Sequence, residues 1–328
     1  MSMDSGAPRD AWHGRRAALV LGAGGARGLA HIGVIQALLE SGIEIAAIAG
    51  SSMGALVGGI HAAGRLNEYR DWVGELQRGD VLRLLDFAFG HPGLIKGDRI
   101  IGALRELVGD HLIEDLAMPF VAVATDLRIQ REAWITQGPL FDAIRASIAI
   151  PMVFTPHRVG ERELVDGGLL APVPIAATRL FSTDLLIAVD VNGQPAHRHV
   201  LARARPAHAN ELSASGTRIG DFVDRLLGRD GSVPEQRGGL MELMSQSLDA
   251  VQSRMSQMQL ALDPPDLLVR IPHDACYFYE FWRATELIEL GRQRTLAALQ
   301  GWTRDHADAE PDVAANETPH TDEAPRRP

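Results

Sequence analysis

The 328-residue sequence has little cysteine and little positive charge. Cys276 is its one cysteine, which excludes an internal disulfide and favours a reducing compartment. Lysine and arginine number 32 against 42 aspartate and glutamate residues, and the formal net charge is -10. Because nucleic acids are bound through a basic surface, a nucleic-acid partner is not expected.

The sequence also lacks the stretch of about 18 uncharged apolar residues that a membrane-spanning helix needs. Charged residues and a histidine interrupt its most apolar region, namely Arg27, His31, Glu40 and Glu44. Arg15 and Arg16 precede a short apolar run, as in a twin-arginine export signal, but that run is short and rich in glycine. We therefore expect a cytoplasmic protein.

Short apolar runs alternate with helical patterns along the first half of the chain. The strand candidates are residues 17–21, 43–50, 120–125, 162–165, 185–191 and 267–271. Strands that are apolar on both faces are typical of a parallel sheet covered by helices on each side. The sequence predicts a single α/β domain with three layers, α/β/α, and a mainly parallel central sheet.

Composition divides the chain into five parts. We expect a disordered N-terminus (1–14), a core domain (15–193), a partly mobile surface insertion (194–238), a helical part packing on the core (239–303) and a disordered tail (304–328). The helical part contains one apolar stripe at helical spacing: Leu240, Met244, Leu248, Val251, Met255, Met258 and Leu262. Such a stripe is expected to face the core.

A glycine-rich loop, Gly22-Ala23-Gly24-Gly25-Ala26-Arg27-Gly28, follows the first strand and precedes a helix. Free backbone N–H groups and the helix dipole make such a loop suitable for an oxyanion or a phosphate. A dinucleotide site is the competing interpretation, but the third glycine falls one residue late and no acid ends the second strand. A purely structural glycine turn is the other alternative.

Residues 50–54, Gly-Ser-Ser-Met-Gly, have the G-x-S-x-G pattern between a strand and a helix. Gly50 and Gly54 permit the sharp turn that exposes Ser52 as a nucleophile. A serine helix cap is the structural alternative. Only one strand and one helix precede this turn, which does not fit the usual α/β-hydrolase order with its Ser–His pair, so His31, His61, His157 and His273 stay weak candidates for a base.

A third motif, Asp166-Gly167-Gly168, ends another strand. Ligands bind at the carboxyl edge of a parallel sheet, where Ser52 and Asp166 could meet. Aspartate is a weak base at its ordinary pKa of about 3.9, and burial would strengthen it. Asp126 and Asp190 also end apolar strands and are the other candidate bases, while an Asp-Gly turn is the structural alternative for Asp166.

The three motifs in this order resemble the patatin-like phospholipases, lipid acyl hydrolases with a Ser–Asp dyad. Four flanking stretches share the resemblance, namely 93–100, 123–127, 146–156 and 171–175, and the likeness covers roughly residues 17–192. It implies that Ser52 is the nucleophile and that Asp166 is the general base. It also implies an oxyanion hole built from Gly22, Gly24, Gly25, Ala26, Arg27 and Gly28, with Arg27 steadying the loop.

The resemblance implies hydrolysis of lipid or other acyl esters through an acyl-serine, with no cofactor and no metal, and it allows transient contact with a membrane surface. The alternatives are a soluble carboxylesterase or acyl thioesterase and a non-catalytic acyl-binding regulator. Residues 81–95 could form a lid or flap, although ordinary core packing is the favoured interpretation. The methionine-rich stripe of 239–262 could line an acyl groove instead of packing on the core.

Overall fold

One eight-stranded sheet forms the centre of the protein. The computed structural model describes residues 12–86, 95–194 and 240–307. Within these residues the strands are β1 Arg16–Leu21, β2 Glu44–Ser51, β3 Phe120–Asp126, β4 Arg131–Ile135, β5 His157–Val159, β6 Arg162–Asp166, β7 Leu185–Gly193 and β8 Leu267–Pro272. Hydrogen-bonded neighbours follow the order β5-β6-β3-β2-β1-β7-β8, and β4 also pairs with β3.

The sheet is mixed but mostly parallel. Strands β3, β2, β1, β7 and β8 run parallel, whereas β4 and β6 pair antiparallel with β3, and β5 pairs antiparallel with β6. All six predicted strands are present. The two that were not predicted carry weak signals, because β4 is short and half polar and β5 has only three residues.

Eight α-helices accompany the sheet in the described part of the chain. They are α1 Ala30–Glu40, α2 Met53–Ala62, α3 Leu66–Glu75, α4 Arg78–Arg83, α5 Asp98–Val108, α6 Leu140–Ser147, α7 Leu240–Leu262 and α8 Ala284–Ala307. Across residues 12–86, 95–194 and 240–307, none of these helices combines the length and apolarity needed to cross a membrane.

Alternate residues of the strands enter two separate cores, which gives the three predicted layers. Leu19 and Ile48 point to the larger core, which contains side chains of α1, α2, α6 and α8. Val20 and Ala49, their neighbours in sequence, point to the opposite face. That face is covered by residues 171–177 and by α7.

Both ends of the described chain extend beyond the limits predicted for the ordered part. Trp12 is buried, and its ring centroid lies 4.3 Å from that of Trp302 near the end of α8. Its indole N–H donates to Thr303 Oγ1 at 3.2 Å. One aromatic pair and one hydrogen bond thus join the two ends of the described chain.

Several predicted segments lie wholly or partly outside the described residues. They are 1–11, residues 87–94 of the predicted flap, residues 195–238 of the predicted insertion and residues 308–328 of the predicted tail.

Helix α7 is present as predicted, but three residues of its predicted apolar stripe face outward. Val251, Met258 and Leu262 are 52%, 54% and 82% exposed, whereas Gln252 and Ser256 on the other side are buried. The prediction that this stripe packs on the core is wrong for those three residues. The spacing of the stripe correctly predicted a helix. The core-facing side of α7, however, carries polar residues that bind neighbouring backbone, as described below.

Helices α1 and α8 pack closely enough that a methyl group would not fit between them. A Cβ atom on Gly33 would overlap the carbonyl oxygen of Ile288, and one on Gly291 would overlap that of Ala30. Both partners are backbone atoms, so neither can turn aside as a side chain could. This contact fixes α1, whose N-terminus adjoins the glycine-rich loop.

We expect opposite effects from two glycine-to-alanine substitutions in helices. Gly33→Ala should lower the free energy of unfolding by about 1–3 kcal/mol or more through overpacking. Gly102→Ala in α5 should raise it by about 0.5–1 kcal/mol, because nothing lies within 4 Å of the added methyl and alanine favours helix. Urea unfolding of both variants tests this. Equal effects would contradict the close packing of α1 on α8.

Candidate active site

Ser52 sits at a strained turn between β2 and α2. Its backbone angles are φ 54° and ψ -123°. Residues other than glycine rarely adopt this backbone conformation outside functional sites. A Cβ atom on Gly50 would overlap the backbone of Gly54, and one on Gly54 would overlap the carbonyl of Leu21. The two glycines of the motif are thus required by the tightness of the turn, as the sequence predicts.

Ser147, at the end of α6, holds this turn in place. Its hydroxyl accepts the backbone N–H of Ser52 at 2.9 Å and donates to the carbonyl oxygen of Val123 in β3 at 2.6 Å. All three groups are buried. A single hydroxyl therefore ties the strained residue to the middle of the sheet, 95 positions away in sequence.

The hydroxyl of Ser52 donates to Asp166 Oδ2 at 2.6 Å. The second carboxylate oxygen, Oδ1, accepts the backbone N–H of Gly168 at 2.6 Å. Both side chains are buried. The serine of the second motif and the aspartate of the third are in direct contact, and the N-terminus of α2 adds partial positive charge beside them.

The pairing of β3 explains how the two motifs meet. Strand β4 occupies one edge of β3, so β2 and β6 share the other edge. Ser51 lies opposite Val123, and Asp166 lies opposite the next residue, Ala124. Asp166 thus reaches the serine at the end of an antiparallel strand of the mainly parallel sheet.

Burial raises the pKa of Asp166 from its usual 3.8 to about 7, although the hydrogen bonds from Ser52 and Gly168 oppose this rise. Near neutral pH the carboxyl group can therefore exist in both protonation states. A carboxylate with this pKa is a far stronger base than an exposed aspartate. It can accept a proton from the hydroxyl that it already contacts.

The glycine-rich loop has fewer free N–H groups than the sequence predicts. The N–H of Gly22 donates to Val189 O at 3.0 Å, and that of Ala26 donates to Phe278 O at 2.8 Å. These two groups are unavailable to an oxyanion. Gly24 and Gly25 stand at the start of the 3-10 helix Gly25–Leu29, and their N–H groups have no partner in the described residues. Arg27 and Gly28 lie further along that helix.

Arg27 is buried and binds three separate parts of the chain. Its guanidinium donates to Asn192 Oδ1 at 3.1 Å, to Asp249 Oδ1 at 2.9 Å and to His273 O at 3.3 Å. Asn192 in turn donates from Nδ2 to Ala23 O at 2.7 Å. The loop is therefore anchored to β7, to the end of β8 and to α7.

Asn192 was not identified from the sequence as a functional residue. It carries no motif of its own, and its partners are 165 and 169 positions away. The one available signal was its place just after the apolar run of β7, at the same sheet edge as Ser52.

None of the four candidate histidines is bonded to Ser52 in the described residues. His31 Nε2–H donates to Gly22 O at 2.8 Å, and burial lowers its pKa to about 4 despite that bond, so the ring is neutral. His273 Nδ1 lies 3.1 Å from Gly193 O. Burial lowers the pKa of both His61 and His157, which disfavours their charged forms.

The other two aspartate candidates are engaged by backbone. Asp126 Oδ1 accepts the N–H groups of Arg128 and Ile129 in the turn after β3. Asp190 Oδ1 accepts the N–H of Asn192 at 2.9 Å. In residues 12–86, 95–194 and 240–307, there is no group of three or more His, Cys, Asp or Glu side chains placed to hold a metal ion.

The model of the patatin-like phospholipase family matches residues 19–179, which include all three motifs. An uncharacterized NTE family protein of Mycobacterium tuberculosis is 40% identical over 88% of this chain and 93% of its own length. The chain belongs to the patatin-like phospholipase family. This confirms the resemblance drawn from the motifs, and the mixed, mostly parallel sheet between helices is the patatin fold.

Two named relatives are much longer proteins. Lysophospholipase nte1 of Emericella nidulans is 31% identical over 54% of this chain and 12% of its own length. Human patatin-like phospholipase domain-containing protein 6 is 26% identical over 89% of this chain and 21% of its own length. The solved structure of VipD from Legionella pneumophila is 13% identical with a TM-score of 0.40, over 88% of this chain and 67% of that one.

The raised pKa of Asp166 predicts a pH-dependent cost to stability. Between pH about 4 and 7 the folded protein keeps a proton that the unfolded chain has lost, so ionisation of this group lowers stability as pH rises. Asp166→Asn removes that effect. Relative to wild type, the variant should gain up to roughly 4 kcal/mol in free energy of unfolding from pH 4 to pH 8.

Urea unfolding at several pH values measures this difference. Glu161→Gln is the control, because that side chain is 97% exposed and should follow wild type throughout. A constant difference between Asp166→Asn and wild type would show that burial does not raise the pKa of Asp166.

Proposed function

We propose that this protein is a lipid acyl hydrolase in which Ser52 and Asp166 form a catalytic dyad. One observation carries the proposal: Ser52, held in a strained conformation, donates a 2.6 Å hydrogen bond to a buried aspartate. Membership of the patatin-like phospholipase family supports a lipid substrate. The name of the Emericella relative, a lysophospholipase, supports the same class of substrate.

In the first half of the reaction, Ser52 Oγ attacks the carbonyl carbon of the ester as Asp166 Oδ2 takes its proton. The carbonyl oxygen becomes an oxyanion, stabilised by the N–H groups of Gly24 and Gly25 and by the dipole of α2. The bond between carbon and the alkoxy oxygen then breaks. Asp166 gives its proton to the departing alcohol, and the acyl group stays on Ser52.

In the second half, a water molecule attacks the acyl-serine and Asp166 takes its proton. The second tetrahedral intermediate collapses with cleavage of the bond to Ser52 Oγ, which recovers a proton from Asp166. The products are a carboxylic acid and the free enzyme. Both halves use the same carboxylate alternately as base and acid, which suits a group whose pKa lies near 7.

The dyad can be tested against the adjacent serine. Ser52→Ala should abolish labelling by a fluorophosphonate probe and lower kcat for a p-nitrophenyl ester by at least about 10³-fold, and Asp166→Asn should lower kcat by a similar factor. Ser51→Ala is the matched control, because Ser51 Oγ is buried without a hydrogen-bond partner. It should keep both labelling and turnover.

Two outcomes would contradict the dyad. Full esterase activity in Ser52→Ala would mean that another residue is the nucleophile. A wild-type protein that neither reacts with the probe nor hydrolyses any ester would favour the non-catalytic acyl-binding regulator.

The outward apolar stripe of α7 supports action at a lipid surface. Three exposed side chains on this helix would bury their apolar area in a membrane: Val251, Met258 and Leu262. The corresponding proposal is a cytoplasmic enzyme that contacts membranes transiently. No such role is needed for a soluble carboxylesterase or acyl thioesterase.

Replacing Val251, Met258 and Leu262 together by glutamine should reduce hydrolysis of phospholipid vesicles by about tenfold or more. Hydrolysis of a short soluble ester should not change, because the dyad is on the other side of α7. Leu39→Gln is the control, since Leu39 is 46% exposed at the end of α1. Equal loss on both substrates, or loss on neither, would favour the soluble esterase or thioesterase.

A further inference from the structure

The inward polar face of α7 is not explained by packing alone. Gln252 is only 7% exposed, although glutamine is rarely buried. Leaving a buried amide without a hydrogen bond costs about 1–3 kcal/mol. A buried glutamine in a helix therefore needs a partner.

Three other polar side chains on this face have such partners. Asp249 accepts from Arg27, and Ser253 Oγ lies 3.4 Å from Asn192 O. Gln259 uses both ends of its amide, since Oε1 accepts from Val173 N–H at 3.2 Å and Nε2 donates to Leu170 O at 3.0 Å. Ser256 Oγ has no partner, but it is fully enclosed and out of reach of a ligand.

Gln252 differs from the three bonded residues because its amide makes no hydrogen bond in the described residues, and it differs from Ser256 because its amide atoms are not fully enclosed. The amide of Gln252 lies next to Gly168, the last residue of the Asp-Gly-Gly motif. A Cβ atom on Gly168 would lie 2.7 Å from Gln252 Nε2, 2.7 Å from Ala23 Cβ and 2.9 Å from Asp166 Oδ1. The free amide thus lies beside both the glycine-rich loop and the carboxylate of the dyad.

We propose that Gln252 is a substrate-contacting residue whose Nε2–H donates to an oxygen of the ester bound between the glycine-rich loop and Ser52. This inference rests on the proposed function. An ester offers acceptor oxygens but no donor, which fits an unpaired amide N–H. Gly24 and Gly25 supply the other unpaired donors of the same region. Bound substrate would then accept from N–H groups that the free protein leaves unpaired.

The matched pair Gln252→Met and Gln259→Met separates substrate contact from structural support. Methionine keeps the length of glutamine and removes the amide. Gln252→Met should lower kcat/KM for p-nitrophenyl butyrate by about 10- to 100-fold, as loss of a donor at a reacting ester does. Its Tm should stay equal or rise, because an unpaired buried amide has been removed.

Gln259→Met should show the opposite pattern. It breaks two hydrogen bonds to backbone, so its Tm should fall, while kcat/KM per molecule of probe-titrated active enzyme should stay within about threefold of wild type. A residue with a merely structural role would lose stability together with activity. Gln252→Met is expected to lose activity without losing stability.

The pH at which kcat/KM is half-maximal adds a second readout. It should be the same in Gln252→Met as in wild type, because the amide acts on substrate. A shift in that pH would mean that Gln252 acts through Asp166, which would overturn the proposal. Unchanged kcat/KM in Gln252→Met would also overturn it.

Failure of this inference can be told apart from failure of the proposed function. If wild type does not react with a fluorophosphonate at Ser52, the dyad itself is wrong and a substrate contact at Gln252 falls with it. If Ser52 reacts and Gln252→Met retains full kcat/KM, the dyad stands and only the role of Gln252 is refuted.

Discussion

The shared edge of β3 is the constraint on which the site depends. Strand β2 ends there at Ser51, and β6 enters from the opposite direction and ends at Asp166, one position further along β3. The two strands leave almost no space between them, since a Cβ atom on Gly167 would overlap the carbonyl oxygen of Val123. The pairing of β2 and β6 with β3 therefore brings Asp166 next to Ser52, the residue that follows β2.

The contact between Ser52 and Asp166 lowers the stability of the fold but suits proton transfer between the two side chains. Ser52 is held in a backbone conformation that costs about 1–3 kcal/mol. Asp166 is buried where its ionised form is poorly solvated, which raises its pKa to about 7. The bonds from Ser147 to Ser52 and to β3 offset part of this cost. In the proposed function, the same burial that destabilises the carboxylate makes it a base strong enough to serve without a histidine.

Local sequence predicted those parts of the site whose chemistry depends on neighbours in the chain. Gly50 and Gly54 signal a sharp turn around Ser52, and Gly167 and Gly168 signal another after Asp166. The residues that hold these turns carry no such signal. Ser147 is a serine at a helix end and Asn192 an asparagine near the end of a strand, and their roles come from partners 95 and 169 positions away.

Two features of the structure could not be predicted, for the same reason. An apolar run shows that a strand is buried but not which way it runs, so the antiparallel direction of β6 was left open. Periodicity likewise predicts that α7 is a helix without showing which face is covered. The inner face of α7 is polar because it meets backbone groups after Asp166 and the Arg27 guanidinium, neither of which an apolar face could satisfy.

Helix α7 turns an apolar face outward and a polar face towards the candidate site, so it could link the two. Through Asp249 and Arg27 the helix is bonded to the loop that presents the N–H groups of Gly24 and Gly25. In the proposed function, its apolar side meets lipid while its polar side meets the ester. A displacement of α7 at a membrane would then move the Arg27 anchor and the Gln252 amide together. The proposed lipid contact and the proposed oxyanion site would thus be linked through one helix.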